Sequence, residues 1–166
     1  MSGIVIVGAG LGGLRAAESA RAAGYQGPIT MIGDEPHLPY TRPPLSKEAL
    51  AAGIDVAALE FRRKRSLDDV DWLLHRAAVG CDLAAHEVHL DDGRAVAFDA
   101  LVVASGIRAR RLPLPGPIEG RYLLRTAEDA IRLRARLTAG ARVVVLGAGF
   151  IGCEVAATAR SLGCEV

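Results

Sequence analysis

With 166 residues, 51% of them hydrophobic and 23% charged, and a formal net charge of +1, the chain has the makeup of a soluble globular protein of one domain or parts of two. This balance excludes nucleic acid and membrane surfaces as partners, because phosphate binding needs a clear excess of clustered positive charge. No apolar stretch reaches membrane-spanning length, and MSGIVIVGAG runs straight into a strand without the basic start and cleavage site of a signal peptide, so the expected location is the cytoplasm.

In chain order, residues 3–7 (GIVIV) are a short β-branched run of the kind buried in a parallel sheet. A glycine cluster and a helical stretch, LRAAESARAA, follow it and end at Gly24. Residues 28–33 (PITMIG) read as a second parallel strand, and residues 34–47 (DEPHLPYTRPPLSK) as a proline-rich loop that cannot be helix or central strand until Ser46 caps a short helix. The run Arg62, Arg63, Lys64, Arg65 reads as a solvated loop, with a docking patch for an acidic partner as the other reading. Residues 70–103 hold several short extended stretches with a turn at Asp91, Asp92 and Gly93, as in an antiparallel β-meander, and end on ALVVA, an apolar run suited to a buried strand. A loop rich in Arg, Pro and Gly spans 106–121, where Arg108, Arg110 and Arg111 read as solvent-exposed. Residues 127–137 have helical periodicity closed by Gly140.

Residues 142–146 (RVVVL) repeat the opening pattern, with a glycine cluster and then CEVAATARSL up to Gly163. Laid over each other at an offset of 139, residues 4–24 and 143–163 match at Gly8, Ala9, Gly10, Gly13, Ala17, Ala20, Arg21 and Gly24 of the first copy. The same βα unit occurs twice. The order describes one α/β nucleotide-binding domain followed by the beginning of another.

Gly8, Gly10 and Gly13 stand at GxGxxG spacing directly between strand and helix. There the first glycine permits the tight turn, the second lets the backbone approach a pyrophosphate, and the third lets the helix press onto the strand. The phosphates then sit at the positive helix N-terminus. Asp34 and Glu35 follow the second strand, about twenty residues after the last glycine, where a carboxylate accepts hydrogen bonds from a ribose hydroxyl. A plain glycine-rich turn with surface acids is the other reading. Gly147, Gly149 and Gly152 repeat the turn around Ala148, but the counterpart of the acid falls near position 174, beyond Val166. The choice between NADH and NADPH depends on that position.

Cys81, Cys153 and Cys164 show no paired spacing and sit in apolar segments, which makes them buried, reduced thiols. His86 and His89 fall on a strand whose side chains alternate, so they point to opposite faces. No metal site is expected. Ser105 lies outside a G-x-S-x-G elbow and is a place of backbone approach, not a nucleophile. Taken alone, Lys47 is a solvated loop lysine, and Glu154 a first-turn glutamate favoured by the helix dipole.

The segments IVIVGAGLGGLRAAESARAAGY, PYTRPPLSK, ALVVASG, YLLRTAEDA and VVVLGAGFIGCEVAA, in this order and spacing, resemble the FAD-dependent pyridine nucleotide-disulfide oxidoreductase superfamily. Within it they are most similar to the ferredoxin reductases that serve bacterial oxygenases. The likeness covers nearly the whole chain, and PPLSK is its most specific motif. It implies an FAD/NAD(P)-binding Rossmann-like α/β domain with a parallel sheet and a β-meander insert over residues 1–126, then the start of a second Rossmann-like unit, for NAD(P)H, over residues 127–166.

The resemblance implies FAD on the first turn, with Gly12 and Gly13 at the pyrophosphate and Asp34 or Glu35 at the adenosine ribose. Arg42 and Lys47 would lie along the cofactor, Val79 at the adenine, and Ala104, Ser105, Gly106 and Arg125 around the rest of the site. Lys47 would stand near the flavin ring with Glu154 as its ion-pair partner, and these two are the candidate catalytic residues. Hydride would pass from nicotinamide to flavin, and electrons would leave singly to a ferredoxin- or rubredoxin-type iron–sulfur protein.

Residues 34–47 contain no cysteine where the superfamily's disulfide reductases carry a redox-active pair, so thiol chemistry is not expected. The family fold also returns from the nicotinamide domain to finish the FAD domain and adds a C-terminal domain, and these 166 residues hold neither. A truncated, non-catalytic nucleotide-binding fragment is therefore a second reading. A quinone-reducing or redox-signalling flavoprotein of the same fold is a third.

Overall fold

The first strand shows why its sequence is β-branched throughout. In the computed structural model, which describes residues 2–166, β1 (Ile4–Val7) pairs in parallel with β2 (Ile29–Gly33), and β2 with β3 (Asp71–Leu74). β4 (Ala78–Asp82), β5 (Glu87–Leu90) and β6 (Ala95–Ala97) form a separate antiparallel sheet, and β7 (Ala100–Val103) returns to lie parallel to β1. The parallel sheet has the order β3-β2-β1-β7. Alternation along β1 sends Ile6 into one cluster with Leu14, Ile29 and Met31, and Val5 into another with Ile32, Val88 and Phe98. Both faces are covered, and burial of each such side chain contributes about 1.5–3 kcal/mol.

The helices are α1 (Leu11–Ala22), α2 (Glu48–Ala52), α3 (Val56–Leu59), α4 (Ala127–Arg134) and α5 (Phe150–Ser161). The chain divides into two compact units. The first runs to Tyr40 and resumes over Glu60–Ile107; the second comprises Thr41–Leu59 and Arg108–Val166. The first contains both sheets and α1. In the second, α2, α4 and α5 gather around Leu50, Leu137, Val155, Ala159 and Cys164. No helix among the described residues is long and apolar enough to cross a membrane.

Several expectations need correction. The first extended stretch after residue 70 is not part of the meander: β3 joins the parallel sheet, with Thr30 opposite Asp71, because residues 34–70 are long enough to cross over to the edge of β2. Ser46 does not cap a helix. Prolines at its start make Pro43–Ser46 a 3-10 turn, and Lys47 takes the N-cap position of α2. Residues 142–146 do not form a strand: they are extended, with Val143 and Val145 turned inward, but pairing is limited to a single parallel bridge, Arg142 to Glu165. Val144 and Leu146 are 84% and 66% exposed. His86 precedes β5 at a positive φ and stacks on Phe98. Cys81 and Cys153 are exposed, the first on an edge strand and the second on the side of α5 opposite Val155; only Cys164 is buried.

The basic run at 62–65 is exposed as expected, with the Arg63 guanidinium over the Trp72 ring at 5.5 Å. The turn at Asp91–Gly93 is present, closed by the Gly93 N–H on the Leu90 carbonyl. α4 begins on a capping box: the Asp129 N–H donates to Thr126 Oγ1, and the Thr126 N–H donates to Asp129 Oδ2, each at 3.1 Å. Thr126→Ala is expected to lower stability by about 1 kcal/mol, read from the midpoint of urea unfolding.

Candidate functional site

The first glycine turn explains itself atom by atom. Gly8 has φ +117°, and a Cβ there would lie 2.1 Å from the Ala104 carbonyl oxygen, so only glycine fits. A Cβ at Gly13 would lie 2.0 Å from the Gly8 carbonyl oxygen, which draws α1 onto the end of β1. Gly10, by contrast, has nothing within 4 Å of where its Cβ would stand. It is also the N-cap of α1, makes no side-chain cap hydrogen bond, and has no acidic residue following it in the first turn. The N-terminus of α1 therefore carries no side-chain acceptor and has open space beside Gly10, the arrangement that receives a diphosphate.

Around this turn, Ala104 donates its N–H to the Val7 carbonyl at 2.7 Å and so continues the β7 ladder to the rim of the turn. The Ser105 amide nitrogen follows within 2.9 Å of the Gly8 Cβ position, Gly106 turns the chain away at φ +68°, and Gly12 faces the Ala104 methyl. Asp34 and Glu35 leave the end of β2. Asp34 is exposed; Glu35 is half-buried, accepts the His75 N–H on its carbonyl at 3.0 Å, and accepts the Tyr40 hydroxyl on Oε2. Val79 sits at a bulge in β4, between Ala78 opposite Leu90 and Gly80 opposite His89, and is 66% exposed. Bulges re-aim side chains in this way.

The second unit brings Lys47 and Glu154 together. Lys47 Nζ lies 3.1 Å from Glu154 Oε1, and the Ser46 hydroxyl donates to Glu154 Oε2 at 2.5 Å. Thr158, one turn further along α5 and buried, donates its hydroxyl to the Ser46 carbonyl at 2.9 Å. The Ser46 hydrogen bond first, and the Lys47 hydrogen bond and charge after it, hold the Glu154 carboxyl below the ordinary glutamate range. Ser46 and Thr158 carry no signal of this role in the sequence, because the contacts span 108 and 112 residues. In the same unit Arg42 donates from Nη1 to the Arg125 carbonyl at 2.7 Å, while the Arg125 N–H donates to Asp129 Oδ2 at 3.0 Å.

The second glycine turn repeats the first. Gly147 has φ +113°, a Cβ at Gly152 would lie 2.2 Å from the Gly147 carbonyl oxygen, and Gly149 is open and caps α5 without a side chain. Its surroundings differ: nothing comes within 4 Å of a Cβ at Gly147, where Gly8 meets Ala104. Among the described residues no group of three or more His, Cys, Asp or Glu is placed to hold a metal.

Two nucleotide-type turns thus stand in one chain. A family model, pyridine nucleotide-disulphide oxidoreductase, matches residues 2–166. The chain belongs to this family. Among curated relatives it is 45% identical over 170 residues to the p-cumate 2,3-dioxygenase system ferredoxin–NAD(+) reductase component of Pseudomonas putida, covering all of this chain and 42% of that protein. It is 43% identical to the rhodocoxin reductase of Rhodococcus erythropolis, over 98% of this chain and 39% of the relative. Of solved family members, the ferredoxin reductase for the CYP199A2 system from Rhodopseudomonas palustris superposes with a TM-score of 0.90 at 40% identity, over 99% of this chain and 41% of that one. The chain spans about two fifths of the length of the relatives it matches.

A depressed carboxyl pKa favours the folded state above the ordinary glutamate range, and that contribution is lost as pH falls through the lowered value. Ser46→Ala is expected to raise the Glu154 pKa and move this loss to higher pH. A carboxyl-carbon NMR titration of Glu154 in both proteins reads the shift directly; coincident curves would contradict the assignment.

Proposed function

We propose that this chain is the nucleotide-binding part of a flavoprotein reductase that passes a hydride from NAD(P)H to FAD and electrons onward to a ferredoxin- or rubredoxin-type iron–sulfur protein. The observation that carries the reading is the pair of glycine turns with one backbone geometry, each opening onto an uncapped helix N-terminus. The relatives named as ferredoxin–NAD(+) reductases support the donor and the carrier. So does a solved putidaredoxin reductase–putidaredoxin complex, whose reductase is 39% identical to this chain with a TM-score of 0.87. The boundary we propose between the two nucleotide-binding parts lies between residues 126 and 127, and the start of α4 after Thr126 supports it. The cytoplasm, with its NAD(P)H pool, is the proposed location.

On this reading the backbone amides that follow Gly10, those of Gly12 and Gly13 among them, bind the cofactor diphosphate, and Glu35 or Asp34 accepts from the adenosine ribose. Val79 meets the adenine, and Ala104, Ser105 and Gly106 offer backbone to the rest of the group. Bound FAD supplies the two-electron acceptor and one-electron donor chemistry. Arg42 and Arg125 add polar contacts along it, and Lys47 holds positive charge near the flavin ring, kept in place by Glu154. Gly147, Gly149 and Gly152 offer the same cradle to the nicotinamide nucleotide.

A second reading, a nucleotide-binding fragment without turnover, is supported by the single bridge of residues 142–146 and the exposure of Val144, Leu146 and Phe150. The absorption spectrum of the purified chain separates the two. Flavin bands bleached by NADH support the reductase, and a colourless protein supports the fragment. Lys47→Ala is expected to slow flavin reduction about tenfold or more in stopped-flow mixing, and unchanged kinetics would sink its assignment. The two glycines of one turn should fail differently. Gly10→Ala is expected to fold as the parent does and lose FAD in a fluorescence titration, whereas Gly13→Ala is expected to lose the fold itself, seen as an unfolded circular dichroism spectrum.

A further inference from the structure

We propose that Thr158 is a positioning residue for flavin reduction: by way of Ser46 it holds the Glu154 carboxylate, and with it the Lys47 ammonium, in one place. The proposal rests on the reading that puts Lys47 near the flavin ring, and adds to it what keeps that cation in position. The ion pair does not do so alone. The Lys47 and Glu154 side chains are 47% and 30% exposed, and a pair this open to water gains little from its attraction while two long side chains give up rotamer freedom to keep it. The restraint comes from the buried side, where the two oxygens of Glu154 are divided. Oε1 faces Lys47 Nζ at 3.1 Å, and Oε2 accepts the Ser46 hydroxyl at 2.5 Å. With Oε2 tied, the carboxylate keeps one orientation and Oε1 stays at the ammonium.

Ser46 holds that oxygen because it is itself held. It is buried, and it ends a turn whose first two residues are prolines of fixed φ, closed by the Lys47 N–H on the Pro44 carbonyl at 3.1 Å. Its hydroxyl has one proton to give, and the charged Glu154 oxygen is nearer than the Pro43 carbonyl at 3.3 Å. Its carbonyl accepts the Thr158 hydroxyl at 2.9 Å, in a bond buried from solvent. Thr158 stands four residues after Glu154 on α5, so both side chains rise from one face of the helix and meet the two polar groups of a single serine. A threonine within a helix commonly turns its hydroxyl to water or back to the carbonyl four residues earlier. Here it bonds outward, to another element, and so secures the backbone from which the Ser46 hydroxyl reaches Glu154.

Two substitutions separate the Thr158 hydroxyl from the methyl beside it: Thr158→Val keeps the shape and removes the hydroxyl, and Thr158→Ser keeps the hydroxyl and removes the methyl. In the flavin-free full chain, a carboxyl-carbon NMR titration is expected to put the Glu154 pKa of Thr158→Val above that of the parent, and that of Thr158→Ser on the parent's curve. In the FAD-loaded chain mixed with NADH by stopped flow, Thr158→Val is expected to lower the limiting rate of flavin reduction about threefold or more at an unchanged half-saturating NADH concentration, and Thr158→Ser to keep the parent's rate. Ser46→Ala, which cuts the same connection one bond later and leaves α5 untouched, is expected to lose rate in the same way; a parent-like rate there overturns the proposal even if Thr158→Val does not fold. If Thr158→Val leaves the titration where it was, or Thr158→Ser fails as Thr158→Val does, the hydroxyl positions nothing and the proposal falls while the flavin reading stands. If the titration moves and the limiting rate does not, the proposal falls as well, because the carboxylate is held without service to the flavin. A parent chain that takes up no FAD overturns the flavin reading itself, and the proposal with it.

Discussion

The carbonyl oxygen of Gly8 stands where a side chain on Gly13 would have to begin, 2.0 Å from the position of its Cβ. That approach presses α1 onto the end of β1 and fixes the direction of the first helical amides. The same contact recurs at 2.2 Å between Gly147 and Gly152. The likeness continues to the far end of both helices. Arg21 donates from Nη1 to the Tyr25 carbonyl at 2.9 Å, and Arg160, at the matching position, donates to the Cys164 carbonyl at 3.0 Å. What is duplicated is a mould for backbone, from the strand end through two helices of 12 residues each to the glycine that closes them.

The copies part company in what surrounds them. β1 has β2 on one side and β7 on the other, and its apolar residues are covered on both faces. The matching run at 142–146 turns Val143 and Val145 inward but has Glu165 as its one ladder partner. The glycine geometry persists regardless, because it depends on local backbone sterics and the helix that follows, whereas strand pairing depends on neighbours.

This difference also explains what could be read from the sequence. Gly8, Gly10 and Gly13 were legible because each missing side chain answers a steric demand within a few residues, and β-branched runs mark buried strands wherever they stand. The parallel pairing of β3 was hidden, since 37 residues separate Gly33 from Asp71 and nothing local distinguishes a crossover from a meander. Exposure of Cys81 and Cys153 follows from which side of an element faces the core, and composition around a cysteine does not report that. Lys47 and Glu154 were paired on the strength of family likeness alone. Ser46 read only as a helix cap, and Thr158 carried no mark of its partner, because a serine or a threonine has no periodicity to announce one.

The link from Thr158 through Ser46 to Glu154 has a mechanical side. Pro43–Ser46 is a short turn stiffened by its prolines, and α5 is a helix of 12 residues whose first residues belong to the second glycine turn. Thr158 grips the turn by its backbone, while Glu154 grips both the hydroxyl of Ser46 and the ammonium of Lys47. The turn and the helix are thus tied at three points, and the charge of Lys47 is held from the same helix that opens at the second glycine turn.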